Sequence, residues 1–165
     1  MEKSMEILLD LVTNHMIIAP VVSWLICQFL KVIITFCIEK EWRWERMFGD
    51  GGMPSAHSAT VVSLAVMAGY LYGLGSAVFA VTVIFAAVVM HDATGVRRET
   101  GKQAMTILFI IDAINDMAKE KDRIVQNEKL KTFVGHTPVQ VFFGAVAGIV
   151  ICTLYILVFH ITGVF

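Results

Sequence analysis

The sequence predicts an all-α fold: a polytopic membrane bundle of four transmembrane helices with an amphipathic helix on its cytoplasmic side. Three observations carry this expectation. Of the 165 residues, 57% are hydrophobic and only 16% charged, and the mean hydropathy is +0.73, too apolar for a soluble domain and short enough for one domain over 1–165. From Ser58 to Met90 no charged residue occurs; since about 20 predominantly apolar residues cross a bilayer, this run holds two spans. The break Tyr72-Gly73-Leu74-Gly75-Ser76 supplies the tight turn between them.

Taken in order, the expected spans cover about 16–38, 54–72, 74–92 and 138–160. The N-terminus mixes Lys3 with Glu2, Glu6 and Asp10, unlike the basic start of a cleaved secretory signal, so the first span is expected to be retained. After the third span, Gly101 to Lys119 places Ala104, Leu108, Ile111, Ile114 and Ala118 on one face, with Lys102, Thr106, Asp112 and Asp116 elsewhere. That spacing predicts a helix lying on the membrane surface over about 101–119. Lys119 to Lys131 is strongly charged and reads as a solvated connector.

Net charge is −1, but its distribution orients the chain. Lys40, Arg43 and Arg46 follow the first span, and Arg97, Arg98, Lys102, Lys119, Lys121, Arg123, Lys129 and Lys131 follow the third, whereas the turn near Gly73 has no cation. The positive-inside rule puts both loops in the cytoplasm. Every motif-bearing end then meets on that face, in an integral protein of a bacterial plasma membrane. Cys27, Cys37 and Cys152 lie in apolar segments without metal-ligand spacing and read as small hydrophobes. Gly69 with Gly73, and Gly144 with Gly148, have the spacing that lets membrane helices approach closely, within the bundle or alternatively in a homodimer.

Two helix starts carry the chemistry. Gly51-Gly52-Met53-Pro54-Ser55-Ala56-His57-Ser58 and Gly135-His136-Thr137-Pro138 each join a histidine to a proline. Proline suits a first helical position, and the free N–H groups beyond it attract anions; Gly51 and Gly52 let the backbone approach a ligand. An imidazole there is suited to attack phosphorus or to protonate a leaving oxygen. Thr137 to Gln140 fits a capping box, which leaves Gln140 either structural or functional. Lys31 lies within the first span on a stripe with Trp24, Gln28 and Thr35. It either faces a wet interior or snorkels to the interface. His91-Asp92-Ala93-Thr94-Gly95-Val96-Arg97-Arg98 ends the third span with an acid and two guanidinium groups suited to phosphate. His91-Asp92 alone does not define a metal site.

These three segments, in this order, resemble the divergent PAP2 family, a membrane-protein branch related to type 2 phosphatidic acid phosphatases and vanadium haloperoxidases. The resemblance spans nearly the whole chain. It implies that His57 is a general acid, that His136 is a nucleophile forming a phosphohistidine, and that Lys31 binds phosphate, with Lys40 and Arg46 the poorer choice. Ser55 and Gly52 then belong to the substrate loop. Two positions depart from the pattern. Gln140 stands where an aspartate orients the nucleophile, and the arginine before the nucleophile is absent, leaving Lys129 or Lys131 as the nearest cations. A neutral amide orients an imidazole without stabilising its charge; Arg97 and Arg98 are the replacements we infer for the missing cation, beside Asp92.

The expected activity is hydrolysis of a phosphate monoester, with a phosphorylated membrane lipid as partner, no cofactor and no metal. The rival from another class is a non-catalytic protein holding a phospholipid headgroup in the same place. A transporter is disfavoured because the spans carry few polar residues besides Lys31 and Gln28, and scattered cations give nucleic-acid binding no support.

Overall fold

The computed structural model describes residues 2–47, 51–117 and 135–162, with side chains for all of these except 2, 46 and 115–117. Among them every regular element is helical: α1 (Glu2–Val12), α2 (His15–Glu39), a 3-10 turn (Trp44–Met47), α3 (Ala56–Tyr72), α4 (Ala77–Thr94), α5 (Val96–Met117) and α6 (Pro138–Ile161). The connector 119–131 lies outside the described residues.

Three stretches are long and apolar enough to cross a membrane: α2 with 25 residues, α6 with 24, and the run Ala77–Ile114 through α4 and α5. The expected count of four is not reached by length, because α3 has 17 residues, about 25 Å long against about 30 Å of hydrocarbon. Its start explains the shortfall. Pro54 does not open the helix as expected; it follows a cis peptide at Met53, and Ser55 is the N-cap, its side chain accepting the Ser58 N–H.

α3 is nonetheless the centre of the bundle, packed against α2, α4 and α6. Its buried residues are mostly small: Ala56, Ser58, Ala59, Ser63, Ala65 and Ala68, with Val61 and Met67. Side chains of this size let neighbouring backbones close in, which is how helices associate where lipid removes the hydrophobic drive. A Cβ on Gly144 would meet the Ser55 backbone and side chain, and one on Gly148 would meet Ala59. That pair therefore packs inside the bundle. Gly73 has another use: it caps α3 at φ +81 with open space around it. Ser23 and Ser63 are hydrogen-bonded through their hydroxyls, Ser63 Oγ donates to the Gly148 carbonyl at 3.2 Å, and the Cys152 thiol donates to the Ser63 carbonyl at 3.3 Å. This buried line joins α2, α3 and α6; Cys152 within it and Cys27, packed with Ala56 and Ala59, have buried thiols in no disulfide.

The inward face of α2 is Ala19, Pro20, Ser23, Cys27, Gln28, Lys31 and Val32. Trp24 is 37% exposed, so the polar stripe drawn from the sequence was one position off at its upper end and Ser23 takes the inner place. α5 starts five residues before the expected 101, because Gly95 merely bends the chain after α4 rather than ending it. Its half-buried positions Ala104, Leu108 and Ile111 belong to the expected stripe, whereas Ile114 is exposed and Ala118 lies outside the described residues. α1 was not expected; its residues 3–12 are exposed.

The last turn of α2 and the segment after it carry a stack of aromatic rings, Phe36 on Trp42 at 4.2 Å and Trp42 on Trp44 at 5.7 Å between centroids. Aromatic residues of this kind gather at membrane interfaces. The other end of the bundle is tied by His15 Nδ1 with the Tyr155 hydroxyl at 2.7 Å, and by the Tyr70 hydroxyl with His160 Nδ1 at 3.3 Å.

Candidate functional site

The end of α4 and the starts of α3 and α6 converge through two backbone hydrogen bonds. Ser55 N–H donates to the Gln140 carbonyl at 3.1 Å, and His136 N–H donates to the Ala93 carbonyl at 3.0 Å. Each histidine-bearing loop is thus pinned to a helix distant in sequence, and each bond satisfies a buried amide that water could not reach.

The loop before α3 passes Gly52 at φ +102, a left-handed conformation that suits glycine. Ser55 is fully buried; besides the Ser58 amide it accepts the Ser58 hydroxyl at 2.9 Å. Its side chain therefore serves the cap. His57 falls in the first turn of α3 and is half-buried. The loop before α6 passes Gly135 at φ +91, where a Cβ would collide with the backbone of Arg97 and Arg98. Pro138 opens α6 as expected, and the capping box forms: Thr137 N–H donates to Gln140 Oε1 at 3.0 Å while Gln140 N–H donates to Thr137 Oγ1 at 3.3 Å.

This brings His136, 3% exposed, against His57, with ring centroids 6.1 Å apart and planes at 80°. The two imidazoles share a cavity of ≈ 20 Å³ with Val89, Asp92, Ala93, Arg97 and Gly135, about the room one water needs. Asp92 Oδ2 accepts the Arg97 Nε–H at 2.7 Å. Both side chains are roughly half exposed, so this pair orients a guanidinium at the cavity mouth more than it stabilises the fold.

Lys31 faces the interior and is 2% exposed, but it lines a different cavity. That one, of ≈ 370 Å³, is bounded by Lys31, Thr35, Glu39, Gly51, Gly52 and Gln140, with Ile34, Ile38 and Met53, and shares no lining residue with the first. The expected single pocket is thus divided, with the histidines, Asp92 and Arg97 in one part and Lys31, Gly52 and Gln140 in the other. Arg98 is exposed and lines neither cavity; its backbone forms the seat for Gly135. Lys40 is an exposed left-handed cap of α2 at φ 58. Lys129 and Lys131 lie outside the described residues, as does the Arg46 side chain. Thr35 lines the Lys31 cavity, as the stripe they share expects; the Ala93 carbonyl and Val89 were missed, since a carbonyl or an apolar wall carries no signature in a sequence. Among the described residues, no three His, Cys, Asp or Glu side chains group closely enough to hold a metal ion.

Helices of membrane-crossing length, with charged and imidazole side chains gathered at one end, define an integral membrane protein with a polar site at its interface. The chain belongs to the divergent PAP2 family, whose model matches residues 12–151. It is also similar to an uncharacterized membrane protein, YuiD, of Bacillus subtilis (strain 168), at 38% identity over 149 residues, covering 87% of this chain and 94% of the relative. No solved structure matches the chain.

Proposed function

We propose that this protein is a phosphatase of the membrane interface, hydrolysing a phosphate monoester carried by a lipid. The observation that carries the reading is the pairing of His57 and His136 in one cavity beside an arginine held by Asp92. A His136 ring nitrogen attacks phosphorus as the bond to the leaving oxygen breaks, and His57 gives that oxygen its proton. A water, losing its proton to His57, then attacks the phosphohistidine and frees inorganic phosphate and His136. The cavity has room for that water. A phosphoryl group is larger, so its entry requires Arg97 to turn from Asp92 toward the phosphate oxygens, where a guanidinium offsets the developing charge.

In this reading α2, α3, α4 and α6 all cross the bilayer of a bacterial plasma membrane. At 17 residues, α3 meets the lower limit for a span, about 17, and its burial among the other helices spares it a full lipid-facing length. The histidine end is cytoplasmic by its cations, and α5 lies along the surface.

A second reading, a headgroup-binding protein without turnover, is favoured by the Gln140 amide, which is engaged in the capping box and carries no charge. One assay separates them: phosphate release from phosphatidic acid, phosphatidylglycerophosphate and isoprenyl diphosphates by the purified protein, His57→Ala, His136→Ala and the double variant. The phosphatase reading expects each histidine to contribute about 10²-fold or more. Release no faster than that of the double variant, on every substrate, would sink it.

A further inference from the structure

The end of the bundle away from the histidines carries a helix that the polar site does not use. α1 has 11 residues, and among the described elements it packs against α2 alone. At about 3.6 residues per turn, Met5, Leu8, Leu9 and Val12 share one face, while Lys3, Glu6 and Asp10 share the opposite one with Ile7 among them. The four side chains of the apolar face are each more than half exposed.

We propose that α1 binds the lipid surface: it lies in the bilayer interface opposite the histidine site, with Met5, Leu8, Leu9 and Val12 among acyl chains and its acids in water. Its partner is the bilayer itself, held by apolar contact and not by headgroup charge. The proposal stands whether or not the histidines turn over a substrate.

The first argument is position. Only Thr13 and Asn14 separate α1 from the span α2, and the Asn14 side chain caps that span by accepting the Met16 N–H at 2.9 Å. α2 begins at His15, and the first ring of the aromatic stack is Phe36. The rise between them is about 32 Å along a helix, close to the roughly 30 Å of hydrocarbon in a bilayer. With the stack in one interface, α1 therefore leaves α2 in the other. The junction is also fixed to the bundle, since His15 is bonded to Tyr155 near the end of α6.

The second is helix stability. An isolated helix of fewer than about 12 residues is marginal in water, so α1 needs a surface against its apolar face. Lipid at the interface supplies one along its whole length. A second copy supplies less: one face of a helix about 16 Å long and about 10 Å across falls short of the roughly 500 Å² a side that a stable protein interface needs.

The third is charge. Surface helices that seek anionic lipid are rich in lysine and arginine on the polar face, whereas α1 sets Lys3 against Glu2, Glu6 and Asp10. Its attraction to the bilayer must come from apolar area, and its acids keep the other face in water. Together, α1 and the aromatic stack mark the two ends of one bilayer thickness and hold the bundle at a set depth.

The test is hydrogen exchange, read by mass spectrometry, on the full chain in phosphatidylcholine nanodiscs holding one protein each. Amides of residues 6–12 should be protected in wild type. Leu8→Glu, on the apolar face, should speed their exchange about tenfold, the worth of burying part of one leucine. Ile7→Glu makes the same chemical change on the polar side and should leave the rate within about twofold. Both positions are exposed, so neither variant threatens the bundle. Unprotected amides in wild type would overturn the proposal, as would equal loss in the two variants. Protection that appears only in discs holding two proteins would assign the face to a second copy and overturn it too.

Discussion

The two histidine loops look alike in sequence and are built differently. Before α3 the proline precedes the cap and the histidine falls inside the first turn; before α6 the histidine precedes the cap and the proline opens the helix. The histidines thus enter from opposite sides of a helix start, and the rings meet edge to face instead of standing in parallel. A like composition in a different register yields complementary positions, one half-buried imidazole and one nearly enclosed.

The glycines offer the sharpest way to break the comparison. Gly135→Ala should destabilise the protein by about 3 kcal/mol or more, because a positive φ and a backbone collision combine there. Gly52→Ala, at a similar φ but with its nearest neighbour 3.8 Å away, should cost about 1–2 kcal/mol. Thermal unfolding in detergent checks the order; equal losses would mean that the loops are held alike.

The caps come next. Ser55→Ala and Thr137→Ala should each lose about 0.5–2 kcal/mol, with the larger loss at Ser55, whose buried hydroxyl serves two Ser58 groups while Thr137 is exposed. Urea unfolding monitored by tryptophan fluorescence should rank them so. The smallest effect is expected at Gln140→Glu, which preserves the capping box, since glutamate suits that position as well as glutamine does. Stability should change by about 0.5 kcal/mol or less. A large rise in phosphate release would show that the new carboxylate reaches His136 and would overturn its assignment to the Lys31 chamber.

Much of this was legible in the sequence, for local reasons. The capping box at Thr137, the turn at Gly73 and the close-packing pair Gly144 and Gly148 each depend on a few neighbouring residues, and each is present. The inward aim of Lys31 was one of two readings, and the cost of placing a charge in lipid favoured the one found. The register of Pro54 was not legible, because two successive residues, Pro54 and Ser55, both make good helix starts and tertiary packing chose between them. Nor was the division of the site. Whether Lys31 shares a cavity with His136 depends on how α2 and α6 cross, which no spacing along the chain encodes. α1 was overlooked because its 11 residues, with acids among the apolar side chains, have neither the length nor the hydropathy of a span.

The bonds from Ser55 to Gln140 and from His136 to Ala93 make the polar site a measure of assembly. Neither loop holds its histidine in place by itself; each takes its position from a helix made much earlier or later in the chain. During synthesis, α3 and α4 are made before α6 exists, so His57 stands without its counterpart until the last helix docks. Chemistry that needs both rings is therefore withheld from any partly inserted chain, and a slip of α6 by one turn, about 5.4 Å, would dismantle both anchors at once.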